Sequence, residues 1–177
     1  FQKRKLLVEK LVPLFNQFHQ QICCSAESVN LHYISQLEET PLVEKLRNTR
    51  ERDWVIGYTT SGIHKDELEM KLDDALIRRV GSQGQQKTYL IALKLAQYSL
   101  LAQQGTTAPL LLLDDIFDKL DAERVAQIIR LVSDEQFGQI FITDTNRKYL
   151  DKILETMNHD FALFEVEQGC IKPLKEA

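Results

Sequence analysis

Several signals that would classify a chain quickly are scarce or missing here. Cysteine is limited to Cys23, Cys24 and Cys170, an odd number with no C-x-x-C pair. That argues against a disulfide framework or a zinc knuckle and for ordinary thiols in a reducing compartment. No apolar run approaches the roughly 20 residues that span a bilayer, and no signal peptide is visible. A soluble, cytoplasmic protein without a membrane partner is expected. Charge of one sign is not in excess either: 22 Lys and Arg stand against 26 Asp and Glu, for a net charge of −4. A uniformly basic nucleic-acid binder is thereby excluded, and any such contact must use a local patch. Methionine does not open the chain. Phe1 enters what reads as the middle of a helix, so a fragment or processed form is expected.

What is present supports a folded domain, since 44% of the 177 residues are hydrophobic and can supply a core. Leu7, Leu11, Leu14, Phe15, Phe18 and Ile22 recur at three- and four-residue spacing and form one stripe of a first helix. Pro13 is expected to kink that helix or start a new turn. Lys3, Arg4 and Lys5 at its start suit a phosphate backbone or simply water. Residues 30–35 (NLHYIS) alternate like a strand, and Thr40 with Pro41 reads as a helix start running to about Asp53. Arg47 and Arg50, three apart on that helix, are candidate DNA-phosphate contacts. Pairing with Glu44 and Glu51 is the plainer alternative.

Residues 54–59 (WVIGYT) read as a strand and 61–68 as a turn. Two further strands, 67–72 and 75–80, are expected to join at Asp73 and Asp74 in a hairpin leading to Gly81. His64 lies in its approach with no second ligand at metal spacing.

Residues 81–88 (GSQGQQKT) nearly match the phosphate loop G-x-x-x-x-G-K-[ST], but Gln86 stands where the second glycine must let the backbone close on phosphates. Arg78 and Arg79 also do not suit the buried strand that should precede such a loop. A second assignment keeps the serine and glycine. Ser82 and Gly84 open a long helix whose apolar face is Leu90, Leu93, Ala96 and Leu100. Its first amides, its dipole and the Ser82 hydroxyl would form an anion site. A glycine-containing cap on a buried helix is the alternative. The S-x-G-Q-Q pattern resembles the signature motif of ABC-type ATPases, and SQGQQKT followed by ALKLA resembles the RecF branch.

Residues 110–113 (LLLL) form an apolar run suited to a strand covered on both faces of a parallel sheet, with Asp114 and Asp115 at its carboxyl end. Two carboxylates leaving a buried strand are costly unless a cation or a proton-transfer task compensates them. The element resembles a Walker B motif, which implies that Asp114 holds Mg²⁺ and Asp115 polarises the attacking water. Asp in place of the commoner Glu at 115 favours the RecF branch and suggests slow hydrolysis. Asp118, Lys119, Leu120 and Asp121 follow at the spacing of a D-loop. RecF-like proteins usually show S-E-L-D there, so Asp118 and Lys119 depart from pattern while Leu120 and Asp121 keep it. Asp121 also suits the N-cap of a helix with the face Val125, Ile128, Ile129 and Val132. Residues 139–143 (QIFIT) are the next strand, giving a βαβ unit with a right-handed crossover. No histidine occurs between Ile140 and Leu150, where transporter ATPases carry their switch. The resemblance makes Thr143 or Thr145 the sensor; capping a helix near Asn146 is the alternative for these hydroxyls. Residues 161–166 form a last strand, with a turn at Gly169.

The resemblance runs from about Trp54 to Leu154, with T-x-x-G-x-H-K-D-E-L from Thr59 as a further element. It implies an α/β fold: the C-terminal part of an ABC-type (P-loop NTPase) head with a mainly parallel sheet, plus part of a helical lobe. Residues 1–53 would belong to that lobe and residues 54–177 to the head, supplying signature (Ser82, Gln83, Gly84, Gln85 and Gln86), Walker B and D-loop but no Walker A. It further implies an ATP- and Mg²⁺-dependent ATPase that forms a homodimer on ATP and binds DNA. Such a protein would help load recombinase at gapped DNA or single-strand/double-strand junctions with RecO and RecR. The chain alone would neither bind ATP tightly nor hydrolyse it. Rival assignments are a transporter or SMC/Rad50-like ATPase subunit, a phosphate-loop kinase, and a non-catalytic interaction module.

Overall fold

A computed structural model describes residues 1–23, 27–115, 118–134, 136–145 and 161–176. The chain divides into two compact units, Phe1–Pro109 and Leu110–Ala177. The boundary expected between residues 53 and 54 therefore lies inside the first unit.

Two long helices form the core of the first unit. Helix α1 spans Gln2–Cys23 and buries Phe15, Phe18, His19, Ile22 and Cys23. The apolar stripe read from the sequence is buried only in its C-terminal half, since Leu7 remains half exposed. Pro13 lies inside the helix without ending it; an exposed proline there removes one backbone donor, and the packed turns on its C-terminal side continue the helix. Helix α4, Gln83–Gln104, packs against α1 and buries Thr88, Tyr89, Ile91, Ala92, Leu95, Ala96, Tyr98 and Leu100. Leu90 points to solvent at 50% exposure, so the expected face is rotated. Tyr89 decides this rotation. Its ring lies 4.5 Å from that of Phe15, and its hydroxyl donates to the Asn30 carbonyl at 2.7 Å. Each large side chain buried in this way contributes about 1.5–3 kcal/mol.

Around the helix pair lies a small antiparallel sheet. Strand β1 (Val29–Ile34) pairs with β2 (Glu67–Leu72) from Val29↔Leu72 to Ile34↔Glu67, and β2 turns at Asp73 into β3 (Ala75–Leu76). Asp73 adopts a left-handed φ of 52°, which suits a tight turn. The expected strand over 75–80 stops after two residues, and Ile77–Val80 form one helical turn, α3.

Between β1 and β2 runs helix α2, Leu42–Ile56. It begins after Pro41 with no side-chain cap, so the capping role expected of Thr40 is not seen. It continues through residues expected to be a strand. Trp54 and Val55 are 86% and 83% exposed, leaving that apolar run no sheet surface to pack on. Gly57, with φ 79°, ends the helix in the left-handed conformation that glycine adopts cheaply. Asp53 fixes the exit, accepting from the Thr60 amide at 2.9 Å and hydroxyl at 2.6 Å, and from Thr49 at 3.0 Å.

The second unit contains a parallel pair. Strands β4 (Leu111–Leu113) and β5 (Ile140–Ile142) pair as Leu111↔Ile140, Leu112↔Phe141 and Leu113↔Ile142. Helix α5, Ala122–Val132, connects them and buries Val125, Ile128, Ile129 and Val132, the face read from the sequence. Coverage of the sheet differs from expectation: Leu111 and Leu113 are buried, whereas Leu112 is 64% exposed. A hairpin of β6 (Ala162–Glu167) and β7 (Cys170–Glu176) completes the unit. The helix start near Asn146 lies outside the described residues.

Candidate functional site

The glycine-containing turn is built by its own glutamines. Ser82 is the N-cap of α4: its hydroxyl accepts from the Gln85 amide at 3.2 Å, and the Gln85 side-chain carbonyl accepts from the Ser82 amide at 2.8 Å. This reciprocal box fixes the first turn. Gln86 folds back so that its side-chain amide donates to the Gly81 carbonyl at 2.8 Å. Gly81 is needed for space, because a Cβ there would lie 2.7 Å from Ile77 Cγ1 and 2.8 Å from its carbonyl oxygen. The glycine thus seats α3 against the helix start, and two residues of β3 followed by α3 stand where a phosphate loop would need a buried strand. Gln85 is held from behind by Glu27, whose Oε1 accepts from Gln85 Nε2 at 3.3 Å. Ser82 and Gln83 are exposed, while Gly84 is partly covered. The leading edge of the helix therefore faces outward.

In the second unit the carboxylates and a threonine meet at the carboxyl ends of β4 and β5. The ladder continues from Thr143 N to the Leu113 carbonyl at 2.9 Å and from Asp115 N to the Thr143 carbonyl at 3.0 Å. The Thr143 hydroxyl donates to Asp114 Oδ1 and accepts from the Asp115 amide, the latter at 3.1 Å. One side chain thus orients the first carboxylate and fixes the backbone of the second. Asp115 takes a left-handed φ of 47°, a conformation that costs a non-glycine residue energy and that neighbouring bonds must hold. Both aspartates and Thr143 are exposed, so the penalty expected for two carboxylates leaving a buried strand does not arise in this chain. The donor set is nevertheless hard oxygen with one carboxylate already oriented, which fits Mg²⁺.

Beyond the carboxylates, Asp118 and Lys119 are exposed and lie 3.7 Å apart as an ion pair. Lys119 has φ 64°, Leu120 is buried, and Asp121 caps α5 by accepting from the Arg124 amide at 2.8 Å. Arg124 Nε also approaches Asp121 Oδ2 at 3.3 Å. Thr145 is exposed, two residues beyond the Thr143 cluster.

Basic residues divide differently from the sequence expectation. Arg4 is committed to structure, donating to the Ile63 carbonyl and pairing with Asp66 at 3.0 Å. Arg47 and Arg50 are exposed on α2 and form no ion pair among the described residues, so the pairing with Glu44 and Glu51 is not seen. Asp66, from the segment that begins at Thr59, also accepts from Tyr33 at 2.5 Å and Ser35 at 2.6 Å. Burial pushes its carboxyl up, yet the bonds from Ser35, Tyr33 and Arg4 outweigh that and hold it below the ordinary aspartate value. His64 contacts the Thr59 carbonyl at 3.0 Å. Glu27, which anchors Gln85, has no sequence signal, because its role depends on a contact 58 positions away.

No protein-family model matches the chain. Among curated proteins it is 69% identical over 176 residues to the DNA replication and repair protein RecF of Parabacteroides distasonis, covering 99% of this chain and 48% of that one. The protein of the same name from Bacteroides thetaiotaomicron is 52% identical over 174 residues, covering 98% and 47%. The chain thus spans about half the length of the curated relatives it matches. A solved structure of the recombination mediator protein RecF-ATPrS in the RecFOR pathway superposes with a TM-score of 0.70 at 25% identity, covering 97% of this chain and 46% of that one. An SmcHead bound to the C-winged helix domain of ScpA shares the fold at a TM-score of 0.57 and 18% identity, covering 94% and 42%.

Proposed function

Because the chain belongs to the RecF family, matching the C-terminal half of its curated members, we propose that it supplies the signature, Walker B and D-loop elements of a DNA-repair ATPase that dimerises on ATP. The Thr143 bridge between Asp114 and Asp115 is the observation that carries this reading. Asp114 would hold Mg²⁺, directly or through water, and the ion when bound neutralises phosphate charge. Asp115 would orient and polarise the attacking water, and Thr143 would report the γ-phosphate through its bond to Asp114. Thr145, two residues further on, is the second candidate for that sensing role.

Ser82 to Gln86 would serve the nucleotide of a partner copy. The turn's internal bonds support this division, since Gln85 and Gln86 hold the backbone while the Ser82 hydroxyl and the exposed first turn are left to meet a phosphate. Asp118, Leu120 and Asp121 would form the segment crossing the dimer interface. Arg47 and Arg50 would add DNA-phosphate contacts, and the protein would act at gapped DNA or strand junctions with RecO- and RecR-type mediators in the cytoplasm. Among the described residues no helix is long and apolar enough to cross a membrane.

In the full-length protein, Asp115→Asn is expected to keep ATP-driven dimers while lowering turnover at least about a hundredfold, as loss of a proton-transfer group commonly does. Ser82→Arg is expected to abolish dimers in size-exclusion chromatography with ATP. Normal dimerisation of Ser82→Arg would refute the role in trans, and normal turnover of Asp115→Asn would refute the role of Asp115 in polarising the attacking water.

A further inference from the structure

We propose that His19, Cys23 and Glu27 form a binding site for a thiophilic divalent cation of the zinc class, located between the end of α1 and the start of α4. His19 and Cys23 are four residues apart on one helical face, and both are buried. Glu27 is partly buried and directs its carboxylate back to the same point. His19 Nε2 lies 3.5 Å from Cys23 Sγ, Cys23 Sγ lies 3.6 Å from Glu27 Oε2, and the three ligand atoms all fall within 4.8 Å of one another. A tetrahedral zinc with Zn–S of about 2.3 Å and Zn–N or Zn–O of about 2.0–2.1 Å has ligand-to-ligand edges of roughly 3.5 Å. The two short edges already have that length.

Charge and surroundings fit as well. With a cation bound, the Cys23 thiolate and the Glu27 carboxylate would supply two negative charges beside a neutral imidazole, which matches a dication. The sulfur ligand selects against Mg²⁺ and Ca²⁺, which prefer oxygen alone. The rings of Phe15 and Tyr89, with centroids 6.0 and 6.1 Å from that of His19, provide apolar flanks. Glu27 presents Oε2 to Cys23 while its Oε1 accepts from Gln85, an outer-shell bond that fixes carboxylate orientation. Three protein ligands leave a fourth corner of the tetrahedron for solvent. The cation would join α1 to the capping box of α4 through Glu27 and Gln85. The sequence expectation that Cys23 is an ordinary thiol rested on the missing C-x-x-C pair, whereas His19 and Cys23 stand one helical turn apart and Glu27 approaches from beyond the end of α1.

The test uses the full-length protein equilibrated with Zn²⁺, dialysed and assayed by elemental analysis, and in parallel loaded with Co²⁺. One zinc per chain and a thiolate-to-cobalt charge-transfer band are expected. Cys23→Ser should remove the band, and Glu27→Gln should weaken zinc retention by at least roughly tenfold. Cys170→Ser, an exposed thiol outside the cluster, should change neither readout. Zinc-free wild type, or a cobalt band that survives Cys23→Ser, would overturn the proposal and leave a hydrogen-bonded thiol and carboxylate. If Cys23→Ser does not fold, zinc retention by His19→Gln equal to wild type would overturn it.

Discussion

At the scale of single residues, Thr143 has the largest chemical leverage for its size. Valine in its place would remove the hydroxyl that bridges Asp114 and Asp115 while keeping the shape. In the full-length protein Thr143→Val is therefore expected to lower ATP turnover about 10- to 100-fold, the usual cost of losing an outer-shell partner of a metal-binding carboxylate. A steady-state ATPase assay checks this, and thermal melting should change little because the side chain is exposed. Asp66 illustrates a different use of a carboxylate. Its folded-state pKa is depressed, so the stability it contributes is present above its unfolded value of about 4 and is lost as pH falls through the lower folded value. Urea midpoints measured from pH 6 downward should fall below about pH 4, and Asp66→Asn should flatten that fall while lowering the plateau.

The elements differ in how far the sequence could announce them. Helix α5 was legible from both ends: Asp121 supplies the cap, and its four apolar positions keep helical spacing and are all buried. Asp121→Ala should destabilise the chain by about 1 kcal/mol, measurable by chemical denaturation, because the Arg124 amide loses its acceptor. The parallel strands and the Ser82 helix start were equally readable, since their signals are local. Residues 54–59 were misleading. Their β-branched and aromatic content favours a strand, but propensity is a weak prior, and the bonds from Thr49 and Thr60 to Asp53, together with left-handed Gly57, decide for a helix that stops there. Strand β7 was not anticipated, because Lys172 and Pro173 interrupt the alternation that would mark it. The residues supporting the Ser82 turn were least legible, since Glu27 and Gln85 meet only after α1 and α4 pack.

For the whole molecule, the fold class and the parallel pair could be anticipated because they follow from strand, helix and strand in sequence order. The division at Pro109 could not, because it depends on which elements share a core. Residues 81–88 and the Asp114–Asp115 carboxylates fall in different compact units. The 177 residues by themselves are expected to bind ATP no more tightly than the millimolar range, with no detectable turnover; isothermal titration reading micromolar affinity would instead restore residues 81–88 as a phosphate loop. The parallel pair β4 and β5 has a further consequence. Within the described residues each strand has a neighbour on one side only, and Leu112 and Phe141 stand together on an uncovered face. Unsatisfied backbone donors beside exposed apolar side chains are a template for adding another strand. A preparation of this region alone should therefore associate as its concentration rises, and the material lost first should be that with its sheet edges least protected.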